Sequence, residues 1–206
     1  MNSKKLVALT FDDGPNLTTT MEILDLIEQY GITASFYVVG NNINSETEKA
    51  MQRAVKLGCE IENHSRTHSA MTEFTAEQML EEIGYTSDKI EAAVGRRPKF
   101  FRPPYIAFNQ LMYDTIDLTF ICGNGAEDYN DEVSAEERYR RIMEQVCDGM
   151  VILLHDMTGN FRTVEAVKML IPKLLEEGYE FVTTTRLFEK SGITPQKNTI
   201  YTNVHQ

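Results

Sequence analysis

The run Met150-Val151-Ile152-Leu153-Leu154 decides the fold class. Five apolar residues in a row leave no polar face, so a strand built from them is covered on both sides. Strands of that kind belong to parallel sheets flanked by helices. Outward from this run, short apolar stretches alternate with longer helical patterns along the chain. Strands are predicted at residues 5–10, 34–39, 60–62, 100–102, 118–121 and 179–182, besides 150–154. Helices are predicted at 18–30, 46–57, 76–94, 135–146, 164–177 and 185–190. Thr75 stands where the third helix needs an N-cap, and Gly58 closes the second. Pro172 predicts a kink in its helix.

Seven strands, most followed by a helix, predict an α/β fold around a parallel sheet. No Pro/Gly/Ser-rich linker divides the chain, so a closed barrel is expected rather than an open sheet. One domain is expected over residues 1–206, with a core at about 5–192 and a polar tail, 193–206, draped over the surface.

Composition narrows the partners. The 206 residues carry 20 Lys+Arg against 31 Asp+Glu, a formal net charge of −11. Nucleic acid and anionic membrane surfaces want a basic footprint, so neither is an expected partner. No window approaches 18 consecutive apolar residues, so no membrane-spanning helix is expected. Cys59, Cys122 and Cys147 are odd in number and form no C-x-x-C pair, which excludes a zinc ribbon or a disulfide scaffold. The opening, Met1-Asn2-Ser3-Lys4-Lys5, lacks the apolar core of a signal peptide. Either the protein stays inside the cell or a leader has been trimmed. Nothing in the composition sets an oligomeric state.

In barrels of this kind chemistry gathers where strands end and loops begin. The first strand runs into Asp12-Asp13-Gly14-Pro15. Two adjacent carboxylates after a buried strand are costly unless something neutralises them. Gly14-Pro15 turns the chain at once, so one carboxylate can bind a cation while the other faces a substrate. A plain turn or cap is the alternative. The third strand runs into His64-Ser65-Arg66-Thr67-His68. Histidines at i and i+4 share one face of a helical turn, a spacing used for metal ligation. Two surface histidines are the alternative. With Asp13 they make one carboxylate and two imidazoles, a common catalytic set for a divalent metal, and Ser65 is placed to support them. His155 and Asp156 follow the most buried strand. A histidine there is either a satisfied core residue or a general acid. His205 lies in the tail and is assigned nothing.

Taken in order, Thr10-Phe11-Asp12-Asp13-Gly14-Pro15, His64-Ser65-Arg66-Thr67-His68, Arg102-Pro103-Pro104-Tyr105 and Leu153-Leu154-His155 resemble the motifs of the polysaccharide deacetylases. These are the NodB-homology proteins of carbohydrate esterase family 4. The resemblance runs from about residue 5 to 192 and implies a distorted (β/α)7 barrel. It implies hydrolysis of acetyl groups on a polysaccharide, leaning to O-acetyl groups of xylan, with N-acetyl sugars of chitin or peptidoglycan as the alternative. It implies one divalent metal held by Asp13, His64 and His68. Zinc is the default, and cobalt, manganese, nickel or iron would also fit. Asp12 resembles the general base, Arg102 the arginine that tunes it, and His155 the general acid. The backbone N–H of Tyr105 resembles the oxyanion-hole donor. Leu153 resembles the residue lining the acetyl pocket, with Pro104 and Tyr129 beside it in the substrate-binding set. Polymeric glycans imply a secreted enzyme.

The fourth motif departs from the family's D-x-x-D-W, reading Gly125-Ala126-Glu127-Asp128-Tyr129. Asp128 matches the second aspartate, which orients the histidine and contacts the arginine. Gly125 replaces the first aspartate, and Tyr129 the tryptophan. Two rival readings stand beside this one. A non-catalytic glycan-binding domain would not need Asp12, Asp13, His64, His68 and His155 together. A hydrolase of small amides or imides on the same barrel would lack parts of the metal set or of the arginine segment.

Overall fold

The computed structural model describes residues 5–206. Residues 1–4, on which the reading of the chain's start rests, lie outside the described residues. The strands are β1 (Lys5–Asp12), β2 (Ser35–Val38), β3 (Glu60–Asn63), β4 (Phe100–Phe101), β5 (Thr119–Ile121), β6 (Met150–His155), β7 (Tyr179–Phe181) and β8 (Ile200–Tyr201). The helices are α1 (Thr19–Tyr30), α2 (Glu48–Lys56), α3 (Ala76–Val94), α4 (Gln110–Thr115), α5 (Ala135–Gln145), α6 (Phe161–Glu176) and α7 (Thr184–Ser191).

The strands run in the order β6-β1-β2-β3-β4-β5-β8, with β7 also paired to β1. All seven of these pairings are parallel. The sheet then curls back on itself. The Leu153 N–H donates to the Asn124 carbonyl at 3.0 Å, and the Val151 N–H to the Thr202 carbonyl at 3.0 Å. The free edge of β6 is thereby met by the chain that follows β5 and β8. The result is a nearly closed, distorted (β/α)7 barrel.

Side-chain alternation along the strands explains why β6 is apolar throughout. Met150, Ile152 and Leu154 join Val7, Leu9 and Phe11 under the helices, packed on Ile23, Leu24 and Ile27 of α1 and Leu170, Ile171 and Leu174 of α6. Val151 and Ala8 face the barrel interior, where they meet Tyr37, Phe100 and Ile121. By the same two-residue period, Asp12 and His155 continue the interior faces of β1 and β6 and arrive at the barrel mouth.

Thr75 caps α3 as expected, and Gln78 returns a bond to the Thr75 N–H at 2.8 Å in a capping box. Three features differ from the sequence expectations. Helix α4 was not expected, because six residues are too short for a clear period, although Asn109 caps the Met112 N–H at 3.0 Å. Helix α6 begins three residues early and continues through Pro172 without a break. The tail does not merely drape: Ile200 and Tyr201 pair with Phe120 and Ile121 of β5, and Tyr201 and Val204 are buried. Two apolar residues in a polar stretch leave no periodic signal to read. No described helix is long and apolar enough to cross a membrane.

If the tail completes the barrel, Tyr201→Ala should destabilise the protein by about 3 kcal/mol, the scale for truncating a buried aromatic. Urea denaturation checks this. A change within about 0.5 kcal/mol, the range of surface substitutions, would show a tail resting on a finished fold.

Candidate metal centre and its flanking acid–base groups

Asp12 is the last residue of β1, and Asp13 turns away from it with a left-handed φ of 76°. The turn is locked from below by Asp156. Its N–H donates to the Asp12 carbonyl at 2.9 Å, and its Oδ1 accepts the Gly14 N–H at 3.0 Å. Its Oδ2 accepts the Thr20 hydroxyl. A Cβ at position 14 would lie 2.6 Å from Asp156 Oδ2, so glycine is required there. Burial pushes the Asp156 carboxyl up to about 7; the Thr20 bond opposes this, and the charges of Asp13 and Asp12 add to it. The sequence places Asp156 beside His155, but its carboxyl serves the opposite loop.

The histidine pair is not on a helical turn, which corrects the sequence expectation. His64-Ser65-Arg66-Thr67-His68 is a loop with left-handed Ser65 (φ 65°) and His68 (φ 60°). Side chains hold that shape in place of a helical ladder. Asn63 Oδ1 accepts the Ser65 N–H at 2.8 Å, and Ser65 Oγ accepts the His68 N–H at 3.1 Å. Glu82 of α3 reaches in from outside, its Oε2 accepting the Arg66 and Thr67 N–H groups at 2.9 and 2.8 Å. Sequence reasoning missed Glu82. Its one signal is a carboxylate on the same helix face as Met79, Ile83 and Thr86.

The loop brings three donors together. His64 Nδ1 lies 2.7 Å from the Arg102 carbonyl. A carbonyl only accepts, so Nδ1 carries the proton and Nε2 presents a lone pair. That Nε2 is 3.5 Å from Asp13 Oδ1, and His68 Nε2 is 3.3 Å from the same oxygen. Burial and the neighbouring His64 push the His68 imidazole down, towards the neutral form that ligates. Asp13 Oδ1 is buried and accepts no hydrogen bond. All three donor atoms lie within 4.8 Å of one another. An orphaned carboxylate oxygen between two imidazole nitrogens fits a divalent cation.

Two charged pairs flank this trio. Arg102 is wholly buried, donates to Asp12 Oδ1 at 2.5 Å and to the Cys122 carbonyl at 2.6 Å, and stacks 4.1 Å over the Tyr37 ring. The other Asp12 oxygen lies 3.8 Å from His64 Nε2, on the side of the metal donors. Opposite, His155 Nδ1 is 2.8 Å from Asp128 Oδ1, and the His155 N–H donates to Oδ2 at 2.7 Å. Burial pushes the His155 imidazole down, but the bond and charge of Asp128, with Asp12 and Asp13, lift it to about 9. The expected contact between Asp128 and Arg102 is absent among the described residues. Both Asp128 oxygens are already taken, by His155 and by the Thr163 hydroxyl at 2.7 Å.

A family model described as polysaccharide deacetylase matches residues 1–119. The chain belongs to the polysaccharide deacetylase family. It is 44% identical over 203 residues to a bifunctional xylanase/deacetylase of Pseudobutyrivibrio xylanivorans, covering 98% of this chain and 34% of that protein. The chain thus spans about a third of that relative. Among solved structures, the Xyl-CE4 domain of a multidomain xylanase from the hindgut metagenome of Trinervitermes trinervoides superposes with a TM-score of 0.96 at 45% identity, covering 98% of this chain and 99% of that one. A family 4 acetyl xylan esterase from Clostridium thermocellum, in complex with a cobalt ion, gives 0.95 at 39% identity over 98% and 100%.

Around this centre stand exposed aromatics. Tyr105, 70% exposed, sets its ring edge-on to His68 at 4.7 Å between centroids. Tyr105 and Ile106 both adopt left-handed φ, at 58° and 53°, which is strained for a β-branched residue and holds the Tyr105 N–H in place. Pro104 is buried and starts this turn, so it shapes the wall from behind rather than presenting a surface. Tyr129, 62% exposed, stands edge-on to His155 at 5.8 Å. Leu153 faces inward on β6, two residues before His155. At Gly125 a Cβ would come 3.2 Å from the Leu153 carbonyl, so the departure from the family motif leaves bare backbone against Leu153. His205 sits far off in the tail, beside Asp148.

Calorimetric titration of zinc or cobalt tests the centre. Asp13→Ala and His64→Ala should each abolish tight binding. Glu82→Ala, which frees the loop without touching a donor, should weaken it about 10-fold, the low end for supporting partners. Unchanged affinity in Asp13→Ala would remove the assignment.

Proposed function

We propose that this chain is a metal-dependent hydrolase that removes acetyl groups from a polysaccharide, with the O-acetyl groups of xylan as its substrate. The observation that carries this reading is one arrangement. A metal-ligand trio lies between a carboxylate buried against arginine and an imidazole buried against aspartate, all at the open mouth of the barrel. The xylan assignment is supported by the likeness to a xylanase/deacetylase and an acetyl xylan esterase. The metal is proposed to be zinc, the catalytic module to be the single domain of residues 1–206, and the setting to be outside the cell, where polymeric glycans are found.

Asp13, His64 and His68 would hold the metal, which supplies Lewis acidity that sharpens a water and polarises a carbonyl. Asp12 accepts the proton of the attacking water. Arg102 aims Asp12, because a guanidinium on Oδ1 leaves only Oδ2 for the proton. The Tyr105 N–H faces the oxygen on which negative charge develops. His155 gives its proton to the departing sugar oxygen, and Asp128 holds the proton-donating form until then. Leu153 seats the acetyl methyl, and Tyr105 and Tyr129 offer ring faces to the sugars on either side.

Acetate release from acetylated xylan and from chitopentaose, side by side, is the deciding measurement. Release from xylan, abolished by EDTA and restored by zinc, is the expected result. Asp12→Asn should keep the metal and lose at least ~10²-fold in turnover, the scale of general-base catalysis. Release from chitopentaose alone would transfer the activity to N-acetyl sugars, and release that survives EDTA would overturn the metal reading.

The pH profile follows from the sign of the His155 shift. An acid must carry its proton to act, and Asp128 raises the pKa of His155 towards about 9. Turnover of acetylated xylan should therefore persist well above neutrality and fall as pH rises through that value. Asp128→Asn should move the falling limb down, towards the ordinary histidine range. A limb that stays put in Asp128→Asn would assign it to another group.

A further inference from the structure

Arg102 and Arg138 are the two largest fully buried side chains among the described residues. Arg102 has a carboxylate. Arg138, on α5, has none within ion-pair distance among the described residues, although an unpaired buried cation is costly. Its Nε donates to the Val133 carbonyl at 3.0 Å and its Nη2 to the Asn130 carbonyl at 3.0 Å. Its Nη1 donates to Asn160 Oδ1 at 2.6 Å and to Thr163 Oγ1 at 2.9 Å. The nearest counter-charge along these bonds is Asp128, one hydroxyl away.

Donor arithmetic gives that hydroxyl a direction. A guanidinium only donates, so Thr163 Oγ1 must accept from Arg138, and its single proton goes to Asp128 Oδ2 at 2.7 Å. Asn160 is oriented in the same way. Its oxygen faces Arg138, so its amide nitrogen donates to the Asp128 carbonyl at 3.1 Å and to the His155 carbonyl at 3.0 Å. Every bond in the series therefore points one way, from Arg138 through Thr163 to Asp128. Asp128 is left acceptor-only towards His155, whose Nδ1 must carry the proton and whose Nε2 turns to the barrel mouth.

We propose that Arg138 is a positioning residue that acts through Thr163 and Asn160 to orient Asp128 as the acceptor for His155, and so fixes the tautomer and aim of His155. The kinetic part of this inference rests on the proposed function; the spectroscopic part does not.

The test uses the full chain loaded with zinc and labelled with 15N-histidine, which is tractable because the sequence holds 4 histidines. Thr163→Val removes the hydroxyl at constant shape, and Arg138→Met removes the donors at similar length. In the parent protein the His155 Nδ1–H should appear at low field, protected from exchange by its carboxylate partner. In both variants it should move upfield and exchange faster, while the resonances of His64 and His68 hold still. In steady-state assays kcat on acetylated xylan should fall about 10-fold in Thr163→Val with KM unchanged, a part of the full general-acid effect. Turnover of 4-nitrophenyl acetate, whose leaving group departs without a proton, should stay within about 2-fold. Should Arg138→Met fail to fold, Thr163→Val decides alone. An unmoved His155 resonance in folded Thr163→Val, or equal losses on both substrates, would overturn the inference. A parent protein that releases no acetate from any glycan would overturn the proposed function instead, and the resonance would still decide this one.

Discussion

Six consecutive Cα partners join β1 to β6, from Val7 with Met150 to Asp12 with His155. The last of these pairs sets a carboxylate and an imidazole side by side at the mouth. Because side chains alternate, a slip of one residue would turn Asp12 under the helices and Phe11 into the mouth. The apolar faces forbid that slip. Leu9 and Phe11 are buried against α1 and α6 on one side, and Ala8 packs inside the barrel on the other. The hydrophobic pattern of two strands thus places charged groups that carry no packing energy of their own.

Four aspartates crowd the mouth, and the protein answers each differently. Asp12 receives a guanidinium and Asp128 an imidazole with a hydroxyl behind it. Asp156 receives a hydroxyl and an N–H, and burial raises its carboxyl towards neutrality. Asp13 keeps a fully buried oxygen with no hydrogen-bond partner. In a buried, strongly acidic neighbourhood, that unmet oxygen, beside two imidazole nitrogens, fits a divalent cation.

Much of this was legible in the sequence, for physical reasons that differ by element. Strand β6 declared itself because both of its faces are buried, and the start of α3 because Thr75 stands directly before the helical pattern as its cap. Asp13, His64 and His68, read from the ends of predicted strands, converge in the structure, with Arg102 on Asp12 and Asp128 on His155 beside them. Their support was not legible. The spacing of His64 and His68 suggested a helix, whereas the loop is shaped by Asn63, Ser65 and Glu82, of which Glu82 comes from a helix 15 and 16 residues on. Helix α4 and strand β8 are too short to carry a period, and their places are settled by neighbours far along the chain.

Gly14 and Asp156 are separated by 142 positions, yet they share one volume. A methyl group at the first collides with the carboxylate of the second, and the loss of that carboxylate unties the turn that presents Asp12 and Asp13. The two positions are therefore a single unit of inheritance. Recombination or domain shuffling that takes the front of this chain from one ancestor and the back from another must bring a matched pair, or the progeny inherits Asp12 and Asp13 on a misplaced loop.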